Sequence, residues 1–146
     1  MQLSTRLARK AVDRLDAGTD PEDILERRRR LLDRQIKVFG IDGGPTANSR
    51  ADVAEQLEKM DRLPEARVLR KEVVVAYRRN RGADDLFTVD SEEWLAANLM
   101  RSGMTADARP LLDHIVDFRL RTLGAQHEAT RRAQRRLLAT TPEELE

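Results

Sequence analysis

Apolar residues along this chain recur at helical spacing, in short blocks separated by turn signals. Between about Thr46 and Met60, the residues Val53, Ala54 and Leu57 fall one turn apart on a single face, which predicts a first helix. The pattern breaks at Asp61-Arg62-Leu63-Pro64. Pro64 suits the first turn of a second helix, where its missing N–H would have no intrahelical partner in any case. That second helix carries Ala66, Leu69, Val73, Val74 and Tyr77 and stops at Arg81-Gly82. The same plan returns as Thr88–Ser102 and Thr105–Leu123. Upstream, Asp20-Pro21-Glu22-Asp23 reads as a helix start, with an N-cap, a first-turn proline and acids beside the positive end of the helix. Gly40, Gly82 and Gly124 stand where a helix C-terminus needs left-handed backbone, which glycine adopts without a Cβ penalty.

The three glycines are 42 residues apart, and so are Ser4, Thr46, Thr88 and Thr130. Apolar columns keep the same register: Ala11, Val53, Leu95, Leu137; Val12, Ala54, Ala96, Leu138; Leu15, Leu57, Leu99. Further along each unit, Leu31, Val73 and Ile115 correspond, as do Leu32, Val74 and Val116. Leu69 matches Leu111, and Ala66 matches Ala108, with Ile24 in the first unit. So many columns in one phase define an internal repeat. Units run at about 4–45, 46–87 and 88–129, with a partial unit at 130–146, all within a single domain spanning 1–146. Three helix pairs and one further first-type helix, about His127–Ala139, predict seven helices. Thr141-Pro142-Glu143-Glu144 reads either as the start of a truncated pair or as a closing turn. Each pair can bury one face only against its neighbours, so the expected fold class is all-α, a solenoid of stacked helix pairs with a continuous core and a curved surface.

Composition narrows this picture. Apolar residues are 40%, charged residues 36% and aromatic residues 3%, so a core exists and must be aliphatic. A net charge of +1 favours neither an anionic nor a cationic partner. With no cysteine there is no disulfide framework, thiol nucleophile or Cys-based metal site. Met1–Lys10 is amphipathic and basic without the apolar run of a secretory signal, and no stretch reaches the roughly 20 apolar residues of a membrane span. The expectation is a soluble cytoplasmic protein that does not engage a membrane.

These residues carry a family resemblance. Gly40, Asp42 and Thr46, then Gly82, Asp84 and Thr88, and then Gly124, His127 and Thr130 follow the linker Gly-x-Asp-His-Pro-x-Thr. Val53-Ala54 with Leu57, and Leu95-Ala96 with Leu99, follow a Leu-Ala-x-x-Leu helix. Glu65-Ala66 with Leu69, and Asp107-Ala108 with Leu111, follow Glu-Ala-x-x-Leu. The chain thus resembles the kinesin-light-chain type of tetratricopeptide repeat (TPR), over nearly its whole length. The resemblance implies a right-handed superhelix of antiparallel helix pairs, with the first helix of each pair lining a concave face. The His-Pro pair is replaced by Gly43-Gly44 and Asp85-Leu86 in the first two linkers. The asparagine pair that holds bound peptide in many family members is Ala51-Asp52 and Glu93-Trp94, which calls for a different ligand chemistry.

On that analogy the groove residues lie off the packing columns: Lys10, Asp52, Trp94 and Arg136; one turn earlier Arg6, Asn48, Asp90 and Arg132; one turn later Arg14, Gln56 and Asn98. They read either as a groove with an acidic and aromatic centre between basic ends, or as a solvated helix face. Trp94 is a binding anchor in one reading and partly buried against a neighbouring helix in the other. Arg27–Arg30 point around their helix, whereas Arg131, Arg132, Arg135 and Arg136, with Arg119 and Arg121, make a basic C-terminal end opposed in sequence only by Glu128. Nucleic acid is disfavoured nonetheless, since no stacking aromatics or recognised motif accompany them. His114 and His127 do not form a metal set, Gly43-Gly44-Pro45-Thr46 lacks the lysine of a phosphate loop, and no cofactor is implied. The expectation is a non-enzymatic adaptor that binds a peptide or partner helix. The alternatives are a homodimer formed through exposed Leu137-Leu138 or, less favoured, a nucleic-acid-binding accessory.

Overall fold

The computed structural model describes residues 18–142. Six helices follow one another with no strand among the described residues: α1 (Pro21–Phe39), α2 (Gly44–Lys59), α3 (Leu63–Arg81), α4 (Leu86–Arg101), α5 (Thr105–Leu123) and α6 (Glu128–Ala139). The seventh expected helix, upstream of Asp20, lies outside the described residues, as do Glu143 and Glu144 of the last helix start. Turns of three or four residues join helices that pack on their sequence neighbours, which makes consecutive helices antiparallel.

Local chemistry sets the boundaries. The Asp20 carboxylate accepts from the Glu22 N–H at 2.9 Å and Pro21 opens α1. Gly40, Gly82 and Gly124 have φ of 78°, 87° and 82°, and each N–H closes the last turn of its helix. Two expected helix starts shift. α2 and α4 begin at Gly44 and Leu86, not at Thr46 and Thr88. The threonines turn inward instead, where each fully buried hydroxyl donates to a linker carbonyl at 2.7 Å: Thr46 to Gly40, Thr88 to Gly82. The cap on α4 is Asp85, which accepts from the Phe87 N–H at 2.9 Å. Helix α5 continues through Pro110, which is exposed.

The apolar columns divide into two clusters. One joins Leu25, Leu32, Val53, Ala54, Leu57 and Ala66, and the other joins Val74, Val89, Leu95, Ala96, Leu99, Ala108, Leu112, Ile115 and Phe118. Burying a side chain such as Leu57 contributes about 2 kcal/mol. Between the clusters lies a polar seam. Arg70 binds Glu58 with two bonds, Nε to Oε1 at 3.2 Å and Nη2 to Oε2 at 2.8 Å. Asn98 bridges the seam, donating to Glu58 Oε1 and the Leu63 carbonyl, each at 3.2 Å, and accepting from Arg67 Nε at 3.1 Å. This seam underlies the middle of the candidate site.

Candidate interaction groove

Two pockets open side by side and share a wall made by Asp90 and Trp94. The first, about 240 Å³, lies among α2, α3 and α4 and is lined by Asn48, Asp52, Arg70, Tyr77, Phe87 and Asp90, with Trp94. The second, about 440 Å³, is formed by α4, α5 and α6 and lined by Asp90, Glu93, Ala97, Arg119, Arg132 and Arg136, with Trp94. Trp94 is 53% exposed. It is held upright by Arg70, whose guanidinium carbon lies 5.0 Å from the ring centroid. The rest of its surface is covered, in part by Arg70 of the neighbouring helix α3.

The first pocket is aromatic and acidic. Tyr77 and Phe87 rings lie 5.9 Å apart, and the Tyr77 hydroxyl donates to Asn48 Oδ1 at 2.8 Å. Half-burial pushes the Tyr77 phenol above its usual pKa. The second pocket is organised around Glu93. Arg119 reaches Glu93 Oε2 at 3.0 Å, while Arg132 and Arg136 reach Oε1 at 3.0 and 3.3 Å. Arg119, 8% exposed, also binds Asp90 at 2.7 Å, and its Nε is buried with no hydrogen-bond partner.

Of the residues expected in a groove, Asn48, Asp52, Asp90, Trp94, Arg132 and Arg136 line these pockets. Gln56 and Asn98 do not. Both are buried, Gln56 donating to the Pro21 carbonyl at 3.2 Å and Asn98 lying in the seam. The reason is helical geometry: every fourth residue advances the stripe by about 40°, so one turn on it has rotated into the neighbouring helix. Arg6 and Lys10, with Arg14, fall outside the described residues. Sequence reasoning missed the share of the second-type helices, Arg70, Tyr77 and Arg119, and the hub Glu93. The column Gln35, Tyr77, Arg119, polar at 42-residue spacing amid apolar neighbours, was the available signal.

The basic C-terminal end is also corrected. Acids distant in sequence meet it, Glu93 as above and Asp84 at 3.3 Å from Arg121, beside the local acids Asp117 at 2.9 Å from Arg121 and Glu128 at 2.8 Å from Arg135. Arg28, Arg29 and Arg30 of the arginine run disperse to Glu55, Glu65 and Glu26.

Neither histidine stands in the groove. His127 Nδ1 accepts from the Ala129 N–H at 3.1 Å and caps α6. His114 lies between Glu92 Oε2 at 2.6 Å and Asp84 Oδ1 at 3.2 Å. Partial burial pulls its pKa down, but the two carboxylate bonds outweigh this and leave it raised. No metal-binding group of three or more His, Cys, Asp or Glu occurs among the described residues. No described helix is long and apolar enough to cross a membrane.

No protein-family model and no curated protein sequence matches this chain. Solved structures do. TPR-like repeats of a protein described as a kinesin light chain from Podosopora anserina superpose with a TM-score of 0.80 at 18% identity, covering 92% of this chain and 64% of that one. A point variant of the same protein gives 0.80 at 19% identity. The chain therefore has a TPR-like helical-repeat fold and spans under two thirds of that neighbour's length.

Proposed function

We propose that this chain is a protein-interaction module whose groove, lined by α2, α4 and α6, receives a segment of a partner protein, and that its repeats are of the 42-residue kinesin-light-chain-like type. The observation that carries this is Trp94, a large apolar ring left 53% exposed and stacked on a guanidinium that the Glu58 carboxylate fixes in turn. An exposed, preorganised aromatic flanked by two concavities is the usual form of a binding anchor. The reading includes a cytoplasmic setting and no catalytic step.

The test is affinity capture from the native cell lysate with wild type, Trp94→Ala and the double variant Trp94→Ala, Asp52→Arg. A partner held by wild type and lost by both variants supports the groove. Equal retention of that partner by all three removes it. A second reading, self-association through α6, rests on Leu138, which is 72% exposed where Ala54 and Ala96 of the same column are fully buried. Sedimentation at high micromolar concentration decides it, and a monomer there ends the idea.

A further inference from the structure

The one tyrosine and the one tryptophan of this chain line a single pocket together with Phe87. Resting on the groove reading above, we infer that this pocket selects an uncharged polyproline-helical segment of a partner protein, with prolines three residues apart set on Phe87 and Trp94.

The charges of the pocket favour a neutral occupant. Arg70 is held by both oxygens of Glu58, Asp90 by Arg119, and Glu55 by Arg28 and Lys59. Asp52 is likewise engaged within the chain. The chain's own guanidiniums also occupy ring faces that would draw a ligand cation. The Arg81 guanidinium carbon lies 4.4 Å from the Phe87 centroid, and that of Arg70 lies 5.0 Å from the Trp94 centroid. An incoming charge has to displace one of these partners, whereas an uncharged residue displaces water.

The spacing of the rings selects the shape of the segment. Phe87 and Trp94 are 52% and 53% exposed. They stand seven residues apart on α4, which is a separation of about 10.5 Å along the helix. A polyproline helix presents the same face every third residue, at about 9.3 Å. A β-strand returns its face at about 6.7 Å or 13 Å and so misses one of the two rings. Tyr77, whose ring lies 5.9 Å from that of Phe87, supplies a second wall at the first proline position.

Hydrogen bonding separates this segment from a partner helix, which can also place side chains seven residues apart. An α-helix satisfies its own backbone, whereas a polyproline backbone has no internal hydrogen bonds and its carbonyls need donors. The half-exposed Trp94 offers an indole N–H, which finds no acceptor among the described residues. Exposed Asn48 accepts from Tyr77 through its amide oxygen and so turns its NH2 group outward as a second donor. A polyproline segment is also ordered before it binds, which lowers the entropy lost on docking.

Trp94 is the single tryptophan, so its fluorescence reads the pocket directly. The probes are three uncharged peptides, acetylated and amidated. The first is Ser-Pro-Ala-Ala-Pro-Ala-Ala-Pro-Ser. The second has the same residues with its prolines adjacent at the centre, and the third is an Ala- and Gln-rich helical peptide with leucines seven residues apart. The spaced peptide is expected to bind about fivefold more tightly than either of the others. In Phe87→Ala that preference should fall below about twofold, and also in Phe87→Leu, which keeps apolar bulk and loses the flat ring. Val68→Ala, an exposed position outside the pocket, should leave it unchanged. A spaced peptide that binds no better than the reordered one, or a preference intact in both Phe87 variants, overturns the spacing argument. Tightest binding by the helical peptide overturns the polyproline conformation, and in these cases a responding Trp94 leaves the groove standing. Silence of Trp94 towards all three peptides at millimolar concentration also overturns the inference, and the lysate capture then judges the groove separately.

Discussion

The helix pairs α2–α3 and α4–α5 share a backbone plan and differ in what fills it. Positions 42 apart hold the same contact with different chemistry. Arg50 pairs with Glu72 at 3.2 Å in the first pair, while Glu92 pairs with His114 at 2.6 Å in the second, with the polarity reversed. Asn48 accepts from Tyr77 in one, and Asp90 accepts from Arg119 in the other. Glu58 and Arg70 form a largely buried ion pair where Met100 and fully buried Leu112 belong to one apolar cluster. The repeat thus fixes a geometry of touching positions, and the content of each touch is free to vary, provided that both members change together.

Splitting such a pair should have the largest effect. The Glu58 and Arg70 side chains are 12% and 5% exposed, so Glu58→Ala strands a buried guanidinium at an expected cost of about 3–5 kcal/mol. Exchanging both members for their counterparts, Glu58→Met with Arg70→Leu, should instead leave stability within roughly 1 kcal/mol of wild type, because matched apolar replacement of a buried pair is often neutral or better. Urea unfolding measures both. A double variant as unstable as the single one would break the equivalence of the two pairs, and its Trp94, no longer stacked on Arg70, should still show altered fluorescence.

Smaller effects test the connections. Gly103, at φ 73°, corresponds to Asp61 at φ 58°, so one turn gives the left-handed position to glycine and the other to aspartate. Gly103→Ala should destabilise by about 1 kcal/mol, since a Cβ there meets the following carbonyl. Asp61→Gly should change stability by less than about 0.5 kcal/mol, because relief of that strain is offset by the freer unfolded chain. Thr46→Val and Thr88→Val each remove a buried hydroxyl that braces the linker and should cost about 1 kcal/mol. Thr130→Val should cost less, since its hydroxyl reaches the Arg119 carbonyl at a longer 3.3 Å. Equal losses at all three threonines would mean that the differing bond is irrelevant.

The contrast explains what was legible in the sequence. Positions that every unit needs, such as the linker glycines, Val53, Ala54 and Leu57, and Leu95, Ala96 and Leu99, repeat in type and revealed the helices, their turns and the TPR-like fold. The groove was half legible. Its first-helix stripe was found because column spacing transfers, but the stripe was extended one turn too far, into Gln56 and Asn98. The second-helix contributions and the pairing of Arg119, Arg132 and Arg136 with Glu93 were hidden, since a sequence states charges without stating which distant residue meets them. Counting charges locally made the C-terminal end look basic, and only folding brings Asp84, Asp90 and Glu93 to it.

The smallest effect is also the most selective between the two pairs. The counterpart of the Arg50–Glu72 pair in the second unit titrates through His114. The imidazole faces Glu92 and Asp84, with Arg78 bound to the other oxygen of Glu92 at 2.6 Å and Arg121 bound to Asp84 at 3.3 Å. Its folded pKa lies above the ordinary 6.5, so the folded state holds the proton more tightly than the unfolded one. The resulting stability is therefore fully present below the unfolded pKa and is lost as pH rises through the folded pKa. Because Asp84 is exposed and Glu92 is also held by Arg78, the loss should amount to a few tenths of a kcal/mol. Unfolding midpoints between pH 6 and 8.5 should fall slightly in wild type and stay flat in His114→Gln. An unchanged slope in the variant would assign the pH response elsewhere. A flat wild type would mean that Arg78 alone satisfies Glu92.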